Sequence, residues 1–336
     1  MGEKISAGLE VKGAFEKLME QRQISAELGF DGTADEILTQ LKKDDVDAPG
    51  TLARTLADAR VSFGLSSDKP LDSLTEKEWE KATTSLGFAM GSGKDLIEVR
   101  AIGDTRFIRG DIKGIIEQFD LGSEREDMAL FDEMTKSVDE LPGSLGSVKA
   151  ALSGEWIEID QREFEEFSAE QFTEDEHNSL FPGGGFGEID AKDQQKILDA
   201  FGKALGENGD IKAEGKKDGA ERFKVTLPAR DTASDLLEGL EPLEDKLGLS
   251  GIDAKDFADK DVDITIDVKD GMVSKLSFDP NQLDRNSDAA LPVTIALKAG
   301  GDPVKAPAGA EKLNPQDVLG AFAFMAMQNG EWENNV

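Results

Sequence analysis

The sequence predicts an α+β fold built on a large antiparallel sheet with one covered face. Most strand-like segments alternate apolar and polar residues, the period of a strand with one buried and one solvated face. Several of them are joined by Asp-Gly or Gly-Asp turns, which indicate hairpins. Helical segments stand between hairpins and do not follow every strand. A doubly wound parallel sheet, whose buried strands read as continuous apolar runs, is therefore disfavoured.

The first third of the chain begins with a helix and continues with strands. Residues 9–22 place Leu9, Phe15, Leu18 and Met19 near one face of an amphipathic helix. Strict alternation then predicts a strand at 24–30, and similar segments predict strands at 60–66, 85–90, 96–102 and 105–109. The last two are joined by Gly103-Asp104, so they form a predicted hairpin.

The tripeptide Arg109-Gly110-Asp111 is the adhesion signal that animal integrins recognise, but its surroundings favour an architectural role. Arg109 ends a strand-like segment, and Asp111 stands where an N-cap is expected before a periodic apolar helix. Tripeptides of loop-favoured residues are common by chance. We therefore interpret this one as a strand end, a turn and a cap.

The second half contains two further hairpins. One turns near Asp218-Gly219 and the other at Asp270-Gly271, and a strand through Val293 follows. Between the hairpins, Asp231 is expected to cap a leucine-rich helix. Pro315 opens an apolar C-terminal helix, whereas residues 121–200 are irregular and include the glycine-rich segment FPGGGFGEID. That segment lacks the order of a phosphate-binding loop and is interpreted as a connector.

Charge and composition exclude several classes of protein. The chain of 336 residues has 70 acidic and 38 basic side chains, a net charge of -32, which disfavours nucleic acid and anionic membrane surfaces as partners. Solubility explains the charge most simply; a salty habitat or loose divalent-cation binding are the alternatives. With no cysteine there is no disulfide, thiolate nucleophile or Cys-ligated metal. No apolar run is long enough for a spanning helix.

Catalytic residues are hard to find in this sequence. The one histidine, His177, lies in an acidic stretch that is predicted to be solvated, and no cofactor or metal site is predicted. An EF-hand-like run from Asp284 is rejected because Ala289 stands where the turn glycine belongs. Carboxylates are so abundant that clusters such as 155–160 support a hydrolase only weakly. We predict that the protein is not an enzyme. A hydrolase that uses carboxylates is the one catalytic hypothesis that we retain.

A one-sided sheet covered by helices can enclose an apolar cavity, and such a cavity accepts lipid tails. The aromatic and aliphatic residues at strand and helix spacing are the candidate lining, although the same positions are also those of ordinary core. The candidates are Phe63, Phe88, Phe107, Ile115, Phe119, Phe223, Val225, Leu276 and Phe278.

The order of these segments resembles secreted lipoproteins of actinobacteria. The segments that carry the likeness are TRFIRGDIKGIIEQF, WIEID, RFKVTLPARDTASDLLEGL, DITIDVKDGMVSKLSFD and the late APAGAEKLNPQDVLGAF. In architecture the chain is similar to the LolA and LppX/LprG group, from about residue 9 to 327. The chain departs from that pattern in three ways: the lipobox cysteine is absent, Phe107 stands where Tyr is expected, and 121–200 is longer than a minimal domain needs.

The resemblance implies a half-open β-barrel with helices on the concave face of the sheet. It implies an N-terminal helix at 1–22 and a single LolA/LppX-like domain at 23–330 with an insertion at about 121–200. It further implies an extracellular monomer, held at the cell membrane by a lipid anchor, that binds a lipid or another apolar molecule. The alternative is a structural or interaction lipoprotein of the same fold with a packed interior and no ligand.

Overall fold

The computed structural model describes residues 2–44, 50–79, 81–90, 94–111, 114, 141–171, 193, 196–197, 199–200, 202–204, 209–283 and 290–328. In chain order its helices and strands are α1 (Gly2–Met19), β1 (Gln23–Phe30), α2 (Ala34–Leu41), α3 (Gly50–Asp58), β2 (Arg60–Ser66), α4 (Glu76–Trp79), β3 (Thr83–Met90), β4 (Lys94–Ile102), β5 (Thr105–Gly110), α5 (Gly146–Leu152), β6 (Ile157–Asp160), α6 (Gln161–Gln171), β7 (Asp210–Lys217), β8 (Ala220–Pro228), α7 (Ala229–Leu240), α8 (Glu244–Leu247), β9 (Asp261–Lys269), β10 (Met272–Phe278), β11 (Val293–Ala299), β12 (Glu311–Lys312) and α9 (Pro315–Gln328). None of these helices is long and apolar enough to cross a membrane.

The chain divides into two compact units. Unit 1 comprises residues 1–84 and 188–304, and unit 2 comprises residues 85–187 and 305–336. Strands of unit 1 follow the order β2-β1-β11-β10-β9-β8-β7, and all neighbours are antiparallel. Strands of unit 2 follow the order β12-β6-β5-β4-β3, with β12 parallel to β6. The predicted α+β class with a large, open antiparallel sheet is confirmed.

Alternation places the apolar side chains of six strands in unit 1 on one side of the sheet, here called the apolar face. Directly paired residues of antiparallel strands point to the same side. One such row across the sheet consists of Leu28, Ile295, Leu276, Ile266 and Phe223. The other side carries charged pairs such as Arg222 with Asp267. Each strand is thus one-sided, as its sequence predicts.

Helix α1 packs on the part of the apolar face that belongs to β7, β9 and β10. Its buried residues Ala7, Val11, Ala14 and Leu18 recur at helical spacing. The assignment of Leu9 to this face is wrong, because Leu9 is 66% exposed. Leu9 is two residues from Val11, about 200° around the helix, so its side chain points away from the sheet.

The hairpin turns lie where the sequence predicts them. Asp218 and Gly219 have φ of 52° and 82°, and Asp270 and Gly271 have φ of 54° and 75°. Two consecutive positive φ angles are typical of the two-residue turns that match the twist of paired strands. Gly103, with φ of 59°, lies in the turn between β4 and β5.

Strand β7 lies at the edge of the sheet in unit 1. Its register against β8 shifts between Ala213 and Gly215, and Gly215 has a φ of 91°. The lysines Lys212, Lys216 and Lys217 are exposed along it. A bulge and charged side chains both oppose the addition of a further strand at an edge.

The two predicted N-caps have different outcomes. Asp111 Oδ1 accepts a hydrogen bond of 2.9 Å from Gly114 N, so the predicted cap at Asp111 is confirmed, whereas β5 continues through Gly110, one residue beyond the predicted strand end at Arg109. The predicted cap at Asp231 is wrong: α7 begins at Ala229, and Pro228 precedes it with no side-chain cap. The fixed φ of proline already suits a helix start, so Asp231 falls in the first turn, where its charge favours the positive end of the helix.

Unit 2 has its own apolar core beside β5 and β6. Helices α5 and α9 pack there, as the predicted apolar C-terminal helix requires. The buried members of this core are Leu141, Leu145, Val148, Ile157, Leu313 and Ala321. His177, the glycine-rich segment, the run from Asp284 and most of the helix after Asp111 lie outside the described residues.

Candidate apolar-ligand site

Five of the predicted ligand residues share the apolar face of unit 1. Phe223 pairs with Ile266, which pairs with Leu276, so all three side chains point the same way. Val225 is linked in the same manner to Phe278 through Ile264. Phe63 pairs with Ala26 on β1. The structure therefore brings Phe63, Phe223, Val225, Leu276 and Phe278 onto one surface.

The part of this face near β8 is covered by α1. Phe223 and Val225 are each 1% exposed, and they pack in one cluster with Ala7, Val11 and Ala14. The helix contributes mainly small side chains to this contact, whereas the sheet contributes large ones. This covered part is packed core.

The face is open around Phe63 on β2, whereas the adjacent pair of Ile24 and Leu65 packs against Leu71, Trp79 and Ala82. Phe63 is 47% exposed, although it lies in the middle of a strand. Its neighbours Ala26, Leu28 and Leu297 are only half-buried. Phe63 and Phe223 stand five strands apart, about 24 Å at the usual strand spacing. The apolar face thus extends well beyond the area that α1 covers.

A pocket of about 460 Å³ lies at the end of β1. This volume is within the range of small-molecule sites. Its apolar walls are Phe30, Ile37, Leu291 and Pro292, and its other lining residues are Asp31, Gly32, Glu36, Gln40 and Ala290. Phe30 is paired with Val293, so it is also the last residue of β1 on the apolar face. The pocket therefore adjoins that face.

Hydrogen bonds hold the walls of the pocket in place. The N–H of Asp31 donates to the carbonyl of Pro292 at 2.7 Å, and the N–H of Ala290 donates to Gln40 Oε1 at 3.0 Å. Leu291 N–H donates to Asp279 Oδ1 at 3.1 Å. The two chain segments that form the pocket are thus fixed to one another without a ligand.

The capping box of α2 sets the charge of the pocket. Glu36 Oε2 accepts hydrogen bonds of 2.8 Å from both the N–H and the hydroxyl of Thr33. These bonds lower the pKa of Glu36, and the bond from the backbone N–H has the larger effect. Asp31 forms an ion pair of 3.5 Å with Lys275. Within the described part of the chain, no lining residue of this pocket is Lys or Arg.

The two described candidates of unit 2, Phe88 and Phe107, are not joined by strand pairing into a comparable surface. Phe107 is buried, but its paired neighbours are Arg100 and Glu158, so it lies on the charged side of its strand. On that side the guanidinium groups of Arg100 and Arg109 stand 4.7 and 5.3 Å from the ring centre of Trp156. Phe88 is half-buried in β3, and Ile115 and Phe119 lie outside the described residues.

Among the described carboxyl groups, burial raises the pKa of Asp95, and a shared hydrogen bond shifts the pKa of two groups on unit 1. Glu10 on α1 and Glu221 on β8 share a hydrogen bond that raises the pKa of Glu10 and lowers that of Glu221. Both side chains are solvated, and neither lines the pocket at the end of β1. Among the described residues, no group of three or more His, Asp or Glu side chains could hold a metal ion.

Sequence reasoning missed the pocket at the end of β1. Ile37, Gln40, Leu291 and Pro292 belong to short segments that carry no strand pattern. A signal was present: Phe30 ends an apolar alternation and is followed by the capping box Thr33-x-x-Glu36, which fixes a helix against the strand end.

Comparisons with known proteins give structural matches only. No protein-family model and no curated protein matches the chain. The crystal structure of LprF from Mycobacterium bovis matches with 10% identity and a TM-score of 0.38, over 91% of this chain and 98% of that chain. That of the Mycobacterium tuberculosis lipoprotein LppX matches with 10% identity and a TM-score of 0.34, over 90% and 99%. LppX belongs to the group that the sequence resembles. Both TM-scores lie below 0.5, so neither match carries an argument about what this chain does.

Proposed function

We propose that the protein is a non-catalytic lipoprotein of the cell envelope that binds a lipid or another apolar molecule on the apolar face of unit 1. In this proposal residues 23–330 act as one carrier domain with 121–200 as an insertion. The domain is an extracellular monomer attached to the membrane by a lipid anchor.

The observation that supports this function is the exposure of Phe63. Strand positions that point to the apolar face are buried under α1 at one end of the sheet, yet Phe63 remains 47% exposed at the other. Phe63 is thus an accessible aromatic side chain on a face whose other end is packed core, and aromatic side chains dominate the energetics of interfaces. Fully burying a Phe side chain contributes about 1.5–3 kcal/mol, so a ligand that covers the exposed half of Phe63 gains about 1 kcal/mol there.

Binding can be tested with N-phenyl-1-naphthylamine, an uncharged fluorescent probe of apolar sites. We expect the purified protein to bind it with a fluorescence increase, and Phe63→Asp to weaken binding at least tenfold. Leu9→Asp is the matched control, because Leu9 is also a large exposed apolar residue, at 66%, but points away from the sheet. Equal binding by the two variants and the unmodified protein would place the probe elsewhere.

Native mass spectrometry of the same preparation gives an independent test. A bound molecule of defined mass, recovered by organic extraction, is the expected result. If the protein flies at its bare mass and also takes up no probe, the binding function is refuted.

The second candidate is an interaction lipoprotein with a packed interior. It is favoured by Phe223 and Val225, which are 1% exposed and already covered by α1. In that case the open surface around Phe63 contacts a protein partner, and the fluorescent probe does not bind to the protein alone.

A further inference from the structure

The pocket at the end of β1 differs in chemistry from the apolar face that it adjoins. Phe30 belongs to both, since it pairs with Val293 on the face and lines the pocket. From Phe30 the row of apolar residues continues to Leu28, one pair further along β1 and β11, and Phe63 lies beyond on β2. An extended apolar chain lying on this surface would have one end at the pocket.

The pocket is built to hold a polar group. Its walls are joined by backbone and side-chain hydrogen bonds between segments far apart in the sequence, Asp31 with Pro292 and Gln40 with Ala290. A volume of about 460 Å³ leaves room for more than a few ordered waters. Its lining combines apolar walls with carboxylate and amide side chains, the composition of a site that orients a ligand.

The charge of the pocket selects against anions. Glu36 and Asp31 are both acidic, and Asp31 is already engaged, by Lys275 at 3.5 Å and by the hydroxyl of Thr294, which donates to Asp31 Oδ2 at 3.3 Å. The capping bonds from Thr33 favour the charged form of Glu36. A fatty-acid carboxylate or a phosphate head group would be repelled by Glu36, whereas an ammonium group would be attracted to it and, more weakly, to Asp31, whose charge Lys275 partly offsets.

We propose that this pocket receives the cationic head group of an amphiphile whose apolar chain lies on the open apolar face between Phe30 and Phe63. The inference rests on the proposed function and specifies its ligand class. The ligand is then a single molecule with an apolar chain and an amine-type head, bound with the head against Glu36 and Asp31.

The test compares three amphiphiles that share a ten-carbon chain: decyltrimethylammonium, decyl maltoside and decanoate. Each is titrated against protein loaded with N-phenyl-1-naphthylamine. We expect the cation to displace the probe about tenfold more tightly than decanoate at low salt, with the maltoside between them. Raising the salt to about 1 M should shrink the preference, because screening weakens exposed charges.

The net charge of -32 would attract any cation, so a matched pair of variants is needed. Asp31→Asn/Glu36→Gln removes the two pocket charges and keeps the acceptor for Thr33. Asp302→Asn/Glu311→Gln removes two exposed charges that do not line the pocket. Only the first double variant should lose the preference, by about tenfold.

A steric pair tests the location. Ala290→Trp fills the pocket while its backbone N–H still reaches Gln40, and Ala308→Trp places the same bulk at another exposed alanine. The first variant should weaken decyltrimethylammonium at least tenfold, and the second should not. Equal affinities across both pairs would overturn the inference and leave the proposed function standing. Failure of the probe itself to bind would overturn both.

Discussion

Arg222 and Asp267 lie directly opposite each other on β8 and β9 and are joined by two parallel hydrogen bonds. Arg222 Nε donates to Asp267 Oδ1 and Nη2 donates to Oδ2, each at 2.7 Å. The pair occupies the polar side of the two strands whose other side carries Phe223 and Ile266. A bidentate contact of this kind fixes the register of the strands as well as adding energy.

Removing one partner of this pair should be costly. Asp267 is only 7% exposed, so Asp267→Ala leaves a largely buried guanidinium without its carboxylate. We expect the free energy of unfolding to fall by about 3 kcal/mol in urea denaturation. Glu16→Ala, which breaks the exposed pair between Lys12 and Glu16, should cost less than about 0.5 kcal/mol. Equal losses would contradict the burial of the first pair.

Truncation of two phenylalanines on the apolar face should affect different properties: the stability of the protein for one and probe binding for the other. Phe223 is 1% exposed, so Phe223→Ala should lower the free energy of unfolding by about 3–5 kcal/mol. Phe63 is 47% exposed, so Phe63→Ala should cost less than about 1 kcal/mol while weakening the binding of N-phenyl-1-naphthylamine. Thermal unfolding and probe titration of the same two variants separate a stability role from a binding role.

The turn at Gly271 contacts α1 through the side chain of Lys17. A Cβ at Gly271 would stand 2.9 Å from Lys17 Nζ, which donates to Asp270 O at 2.7 Å. Gly271→Ala should therefore cost slightly more than Gly219→Ala, whose Cβ meets nothing within 4 Å. Each substitution carries about 1 kcal/mol from the positive φ alone. A smaller loss for Gly271→Ala in chemical denaturation would argue against the contact from α1.

The stability of the protein should depend on Glu78 at acidic pH. Hydrogen bonds from Lys69, and then from the N–H and hydroxyl of Thr75, lower the pKa of Glu78 from 4.5 to about 2. Its contribution is fully present above pH 4.5 and is lost as the pH falls towards about 2. Glu78→Gln should flatten the pH dependence of unfolding in this window, and an NMR titration of the Glu78 carboxyl should give the low pKa directly. Asp72→Asn, an exposed neighbour, serves as the control.

Most of the fold could be predicted from the alternation of apolar and polar residues in the strands. The buried face of α1 was harder to predict, because it is built partly from short side chains. Val262, Ile264, Ile266 and Val268 alternate with polar residues, so the strand, its face and its turn could all be predicted. In α1 the buried residues include Ala7 and Ala14, which give a weak hydrophobic signal, and Leu9 was assigned to the wrong face. Small residues are favoured where a helix approaches a sheet of large side chains.

The candidate site could be predicted only in part. The sequence shows which residues of one strand share a side, but it does not show which residues of other strands lie beside them. Residues two apart on the same strand, such as Phe223 and Val225, share a face whatever the strand pairs with. Phe107 also follows a strand period, yet its face is set by Arg100 and Glu158 on neighbouring strands. That relation depends on register between segments, which no single segment encodes.

The pairing of β1 with β11 joins the two ends of unit 1. Ile24 lies opposite Ala299, so the second neighbour of β1 is supplied only after most of the chain has been synthesised. Contacts between such distant residues form slowly, because a long loop must close before they are made. During synthesis, the edge of β1 that pairs with β11 therefore stays unpaired until residues 293–299 have been made. A chain that ends before residue 293 leaves that edge permanently unpaired, and we expect it to aggregate.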